Sequence, residues 1–491
     1  MAHLQTNATV KHEAAKETSK PRDRLPGVKN VLYTLLLITG ADVVRNLKNF
    51  KIVLGFAGSA VVFLIASHLL GSDYQQRLGN WIDNQETAFL VPPGGAVRYT
   101  APNGSFLAKA GKSYESPIHP PEPLSVLVKG VDSEIDRPVG IFQHIYFGRR
   151  QNQDLFLSSF DTPDLIFMVK IVASLLGLFF AFGSTSRDRD RGLLRMILTT
   201  PVRRRDVFLG KALGAFISLF AAFSAAFGVA LAYLYFSHGS IGPNEDWVRV
   251  LLILAMSNLY GFIFICAGLY LSAMNLRTKS PIVAAFLVWA TLTLIVPNLA
   301  VLAARVAVPV ISNNQLFARI LAAGRAIDRE ELNDYPYARS VFDTPNSNTA
   351  VLRRLKVIRE MTDDFAARKL DQIDLARTLA LFSPSGGLVF GSADLAGTGT
   401  SDYRAYLRML LSGRDDMHQA IARALDAPPA EAQRIQSEVE DQNLKRQRTR
   451  QPLTTSLKAV AGPSASLLAW FSLGIFLAYR RFERYDLSNL T

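Results

Sequence analysis

Six runs of apolar residues, each close to the length needed to cross a bilayer, leave this chain few ways to fold. They are Ile52 to Leu70, Leu165 to Gly183, Ala212 to Phe236, Val250 to Ala273, Ile282 to Leu302 and Pro463 to Tyr479. A helix crosses the ~30 Å hydrocarbon core with about 20 residues, and no other open structure satisfies its backbone there. The 491 residues are 49% hydrophobic and 19% charged, so the apolar residues are gathered into blocks and the polar ones lie between them. The expected class is an α-helical polytopic membrane protein with six transmembrane helices. An earlier apolar stretch, Val31 to Ile38, is too short to span. With Arg45, Lys48 and Lys51 following it, it reads as an amphipathic helix at the membrane interface, or as a helix packed on protein.

Basic residues beside the spans predict orientation. The loop from Ser184 to Asp206 carries seven arginines, the link Asn275 to Ser280 carries Arg277 and Lys279, and the tail carries Arg480, Arg481 and Arg484. All three are expected in the cytoplasm, which puts both termini inside. Residues 1–51 read as a polar tail without a secretory signal plus the interfacial helix. Residues 52–70 form the first span, and 163–308 hold spans two to five with the loop 184–206. Residues 463–479 form the last span, and 480–491 a cytoplasmic tail.

Two inserts then fall outside. The first, 71–162, has β-rich runs at Val97 to Thr100 and Leu124 to Val128 between prolines and glycines, and predicts a small β-containing domain. The second, 309–462, has helical spacing at Ala350 to Arg377 and Pro429 to Arg448, and predicts a larger α-helical domain. Its polar stretch near Gln433 to Arg450 reads as a solvated helix or a stalk.

Several chemistries are set aside. The net charge of +13 sits beside the apolar blocks, where it meets anionic lipid, so no nucleic acid is expected. A single cysteine, Cys266, leaves no intrachain disulfide, and the seven histidines have no metal-ligand spacing. AGKSY at Ala110 to Tyr114 lacks the first glycine of a phosphate-binding loop, and no nucleophile elbow occurs. SPSGG at Ser383 to Gly387 and GTGTSD at Gly397 to Asp402 read as a turn and a helix-starting loop. Within the spans, Lys170 is near an end and is expected to snorkel, with a path-lining role as the alternative. Asn258, Tyr260 and Asn298, the last beside Pro297, are candidates for a polar path lining or for interhelical hydrogen bonds.

The segment RDRDRGLLRMILTTPVRRRDVFLGK, Arg187 to Lys211, places an apolar patch between two basic runs and ends it at a proline, as a short helix on the membrane face would. It resembles the signature of type-two ATP-binding-cassette permeases. The matching positions are Asp190, Gly192, Leu194, Thr200, Pro201, Val202, Arg203 to Arg205, Gly210 and Lys211. Arg191 intervenes between Asp190 and Gly192, and Leu193 stands where the family usually has threonine. The likeness extends over Asp161 to Val308, Ser383 to Arg408 and the terminal span, and is similar to a subgroup with large outer inserts. The resemblance implies a bacterial inner-membrane permease that pairs with a second permease half, as homodimer or heterodimer, and with cytoplasmic nucleotide-binding ATPase subunits. ATP and magnesium would bind in those partners; this chain would be no enzyme and bind no cofactor. Asp190, Gly192, Leu193, Leu194, Leu198, Pro201, Val202 and Arg203 would couple to the ATPase. Two functions follow: export of a substrate, or mechanotransmission, in which the motion passes to the outer inserts or to an extracytoplasmic protein partner and nothing crosses. A membrane scaffold or anchored hydrolase without an ATPase is the third and weakest reading.

Overall fold

A computed structural model describes residues 28–48, 50–90, 120–132, 164–190, 196, 202–239, 241–242, 244–274, 280–337, 344–428, 430–432, 434–435, 438 and 450–483. The described elements are helical. In chain order they are α1 (Val28–Leu47), α2 (Phe50–Leu90), the 3-10 turn η1 (Pro123–Val126), α3 (Leu165–Asp190), α4 (Arg204–His238) and α5 (Asn244–Ser272). There follow α6 (Ser280–Ala290), a π segment (Thr291–Ile295), α7 (Val296–Ala307), α8 (Asn313–Asp334), α9 (Ser347–Ala380), α10 (Pro384–Ala396), α11 (Thr400–Leu425) and α12 (Leu453–Glu483).

Five helical stretches among the described residues are long and apolar enough to cross a membrane: Val53–Ile82, Arg204–His238, Glu245–Ser272, Val283–Ala307 and Leu453–Glu483. The remaining expected span, in α3, has a described apolar part of Leu165–Ala181, about 25 Å at 1.5 Å per residue, and continues as helix to Asp190. The bundle is therefore helical and multi-pass, with α5 at its centre, packed on both α3 and α12.

α1 is longer than the apolar stretch that predicts it, and it runs alongside α4 in the same direction. Asp42 and Ile38 lie over Gly214 and Gly210, and Asn46 Nδ2 donates to Ser218 Oγ at 3.3 Å. Those three α4 positions recur every four residues, so they share one helix face. A Cβ at Gly214 would stand 2.7 Å from Asp42 Cβ. Small residues on that face are what allow the two backbones to approach.

The first insert departs from expectation. α2 stays helical to Leu90, so residues 71–90 extend the first span instead of opening a β domain. Leu124 to Val128, expected as a strand, forms the turn η1, in which Ser125 N donates to Glu122 O and Leu127 N to Leu124 O. Pro123 at its first position fixes φ and removes a donor that a strand ladder needs, while costing a helical turn nothing. Val97 to Thr100 lies outside the described residues, as does most of Gln433 to Arg450; no strand occurs among the described residues.

The second insert is helical, as its spacing predicts, but it does not sit apart from the bundle. α9 packs along α7, and α10 turns back into the bundle against α5 and α12. Every residue of α10 is buried. At the turn between them, a Cβ on Gly386 would meet Ala380 O at 2.1 Å, so only glycine permits so tight a reversal. Ser383 caps α10 through Ser385 N, and Gly397 ends it with φ +79°. The helix-starting reading of GTGTSD therefore holds, whereas SPSGG, expected as a turn, is the cap and first turn of α10.

Candidate coupling surface and polar core

The end of the bundle that carries the arginine-rich loop is held by three helices. Asp190 closes α3; Gly192, Leu193, Leu194, Leu198 and Pro201 lie outside the described residues, and Met196, inside the apolar patch, is exposed. The chain re-enters at Val202, half-buried against the Phe208 cluster, and at Arg203, whose extended backbone starts α4. Arg204 Nη1 donates to Glu483 O at 2.9 Å, and the Phe208 ring lies 5.6 Å from that of Phe482 and 5.9 Å from that of Tyr479. On the other side Thr39 Oγ1 donates to Gly210 O at 3.3 Å, and Lys211 Nζ lies 4.0 Å from Asp42 Oδ2. The foot of α4 is thus tied to α1 and to the last turn of α12.

Midway along the bundle lies a polar core. Tyr260 OH donates to Lys170 O at 3.1 Å, and Trp289 Nε1 donates to Ser174 Oγ at 2.8 Å, while Ser174 Oγ donates to Lys170 O. Lys170 itself is 2% exposed, with Nζ 4.7 Å above the Phe167 ring. The expected snorkelling is corrected: the ammonium is enclosed by protein, on the same helix as the neighbouring Asp164, whose pKa burial pushes up to about 6 while backbone N–H groups and the Lys170 charge oppose the rise. Asn258 Nδ2 joins α5 to α4 through Leu254 O, 2.9 Å, and Ser224 Oγ, 3.3 Å. Asn298 is exposed on α7 and stands apart from this core.

What sequence reasoning missed is the partner of the break in α6–α7. Pro297 has no N–H for Thr293 O, and the chain responds with the π segment. The orphaned carbonyls face the α9–α10 turn. Ser385 Oγ donates to Leu292 O at 3.1 Å and approaches Thr293 O at 3.4 Å, and Ser383 Oγ also donates to Leu292 O. The turn of the insert therefore reaches the midpoint of a membrane-crossing stretch. Replacing both serines by alanine should leave a buried carbonyl unsatisfied, at a cost of ~1–3 kcal/mol, read as a lowered melting midpoint in detergent. S383A alone should cost less, because Ser385 still reaches Leu292 O.

At the opposite end from the loop, residues 120–132 form a strap held by charge. Arg77 of α2 reaches Asp132 Oδ2 at 2.8 Å and Ser125 Oγ at 2.9 Å. Lys129 N donates to Asp164 Oδ2 at 3.1 Å, and Val131 N donates to Thr398 O at 3.0 Å. Arg450 pairs with Glu122 Oε2, 3.2 Å, and with Asp246 Oδ1, 2.5 Å. Arg249, 0% exposed, donates to Leu395 O, Ser456 Oγ and Gln451 O at 2.8–2.9 Å. Strap, spans and insert are joined by groups too buried to be left unpaired without large cost.

Further out, Arg414 of α11 is buried between Thr362 and Asp415, with His418 one turn on. Burial, and then the Arg414 charge, push the His418 pKa down to about 4. The folded state therefore favours the neutral ring, and its contribution is full above the unfolded value near 6.5, then lost as pH falls towards 4. The melting midpoint should drop over that window, and His418→Gln should flatten the drop.

Length, composition and this packing define a class, the α-helical multi-pass membrane proteins. Within it, the family model described as ABC-2 family transporter protein matches residues 31–487, and the chain belongs to that family. It is a membrane transporter component of a kind that generally lacks catalysis of its own and works with an ATP-binding subunit. No curated protein matches the sequence.

Proposed function

We propose that the chain is the permease subunit of a bacterial inner-membrane ATP-binding-cassette exporter, with six spans and both termini in the cytoplasm. Its loop 184–206 docks into a nucleotide-binding subunit, with the apolar side chains of Leu193, Leu194 and Leu198 in that partner's groove and Asp190, Gly192, Pro201, Val202 and Arg203 setting the turn and the rim. ATP and magnesium are held by the partner, and a second permease half completes the pathway. The observation that supports this reading is the grip on the foot of α4. Arg204 and Phe208, at the start of α4, contact the last turns of α12, and Lys211 contacts Asp42 of α1. A pull on the loop is then a rigid-body load on α1, α4 and α12, the kind of bistable packed element that carries conformational coupling. Affinity purification of the whole chain from its native host tests it: a cassette ATPase is expected in stoichiometric amount, and its absence under conditions that preserve the folded permease contradicts the reading.

A mechanotransmitter is the second reading, in which no substrate crosses. The strap at residues 120–132, the buried Arg249 and the half-buried Arg450 favour it, because they lock spans and inserts into one unit. ATP-dependent accumulation of substrate in inverted vesicles supports export. ATP-dependent change at the inserts without any flux supports mechanotransmission.

A further inference from the structure

Two membrane-crossing stretches are broken by proline, and both breaks are answered by the same piece of the second insert. Pro463 stands inside α12 and has no N–H for Ala459 O, just as Pro297 has none for Thr293 O. At membrane depth a freed carbonyl finds no water, so protein must satisfy it. Arg377 Nη2 of α9 donates to Ala459 O at 2.8 Å. Ser383 and Ser385, at the start of α10, take Leu292 O at the other break. α10 also lies directly on the α12 break: a Cβ on Gly387 would stand 3.1 Å from Pro463 O, and one on Gly391 3.2 Å from Pro463 Cβ.

The bonds sort by level. On the loop side of the breaks, the α9–α10 turn is held to Leu292 O by Ser383 and to α12 by Ser466, whose Oγ donates to Leu381 O. On the insert side, α9 holds Val308 O through Gln372 Nε2, at 2.8 Å, and Ala459 O through Arg377. Neither α7 nor the first turns of α12 can tilt at its proline without moving α9 or leaving a buried carbonyl unpaired. From the turn, α9 runs as one helix back to Ser347, about 50 Å away at 1.5 Å per residue. It is braced along that length: Arg353 meets Glu330 of α8 at 3.1 Å, Arg359 meets Asp415 of α11 at 2.8 Å, and Asn348 Nδ2 donates to Leu425 O at 3.3 Å. A tilt of about 10° at the breaks, roughly half a sharp proline kink, would carry the far end of α9 through ~9 Å.

We propose that the α9–α10 hairpin couples the two proline breaks, so that α7 and the first turns of α12 tilt as one and α9 is the lever that carries their tilt to the far end of the insert. The device lies within this chain and stands under either reading of its function.

Double electron–electron resonance on the whole purified chain tests it, in a Cys266→Ser background with spin labels on Leu352→Cys near the far end of α9 and Val283→Cys in α6, both exposed positions. Pro297→Ala, which restores the missing N–H, should shift the mean label distance by at least ~5 Å. Pro463→Ala, in a helix that carries neither label, should shift it by a comparable amount. Arg377→Lys keeps a charge beside Asp394 but replaces the guanidinium fork by a single amine, and should remove at least half of that second shift. If Pro463→Ala does not fold, Pro463→Gly restores the same N–H. A distance unmoved in either proline variant overturns the proposal, as does a Pro463→Ala shift that persists in full with Arg377→Lys.

Discussion

Arg377→Ala should be the most damaging single substitution outside the loop, lowering stability by ~3–5 kcal/mol, a large part of the ~5–15 kcal/mol that holds a typical domain. Arg377 ties four elements together. From α9 its guanidinium bonds the Asp394 carboxylate in α10 and the Thr400 hydroxyl at the start of α11, and it donates to Ala459 O of α12 at 2.8 Å. Asp394 is 1% exposed, and burial pushes its pKa up while Arg377 opposes the rise. Removing the arginine leaves a buried carboxyl with its main counter-charge gone, so it must take up a proton or draw in water. Arg377→Met combined with Asp394→Leu should recover much of the loss, because an apolar pair of similar size carries no desolvation cost. Melting midpoints of the two singles and the double, taken as a cycle, measure the coupling. Near-additive effects would show that the pair matters only through packing.

The second large effect is functional and falls on the loop. Leu194 and Leu198 are four residues apart, so in a helix they present one face. Leu194→Asp with Leu198→Asp would ask an apolar groove to accept two carboxylates, at several kcal/mol. Each ~1.4 kcal/mol is tenfold in affinity, so binding of the nucleotide-binding subunit should weaken at least a hundredfold and stimulated ATPase should vanish. The permease itself should stay folded, read as an unchanged melting midpoint in detergent. Leu194→Met should be tolerated. Intact assembly and ATPase activity in the double aspartate variant would remove the loop from the coupling role.

The parts of this fold legible in the sequence are those set by local periodicity and length. Long apolar runs mark α2, α4, α5 and α12, since lipid leaves a helix as the only single-segment solution. The ABC-2 family relationship was likewise readable around Asp190 to Lys211. What was not legible depends on distant pairs. Leu292 and the serines that satisfy it are about ninety residues apart, and Pro297 alone signals a kink without naming its partner. Lys170 looked like a snorkelling residue by its place near a span end, and only the packing of α3 against α5 and the Phe167 ring encloses it. Leu124 to Val128 has strand-forming residues, but the Arg77 and Asp132 contacts favour a compact turn over a ladder. Asn298 sits beside the kink in sequence yet on the other face of its helix, which one residue of rotation decides.

Sidedness bears on everything proposed for the loop, because a nucleotide-driven partner acts from the cytoplasm. A single cysteine introduced at Arg189 in a Cys266→Ser background, exposed to a membrane-impermeant maleimide, measures it directly. Protection in intact cells and labelling after permeabilisation is the expected result. Labelling in intact cells would place the loop on the outer face and contradict the coupling role.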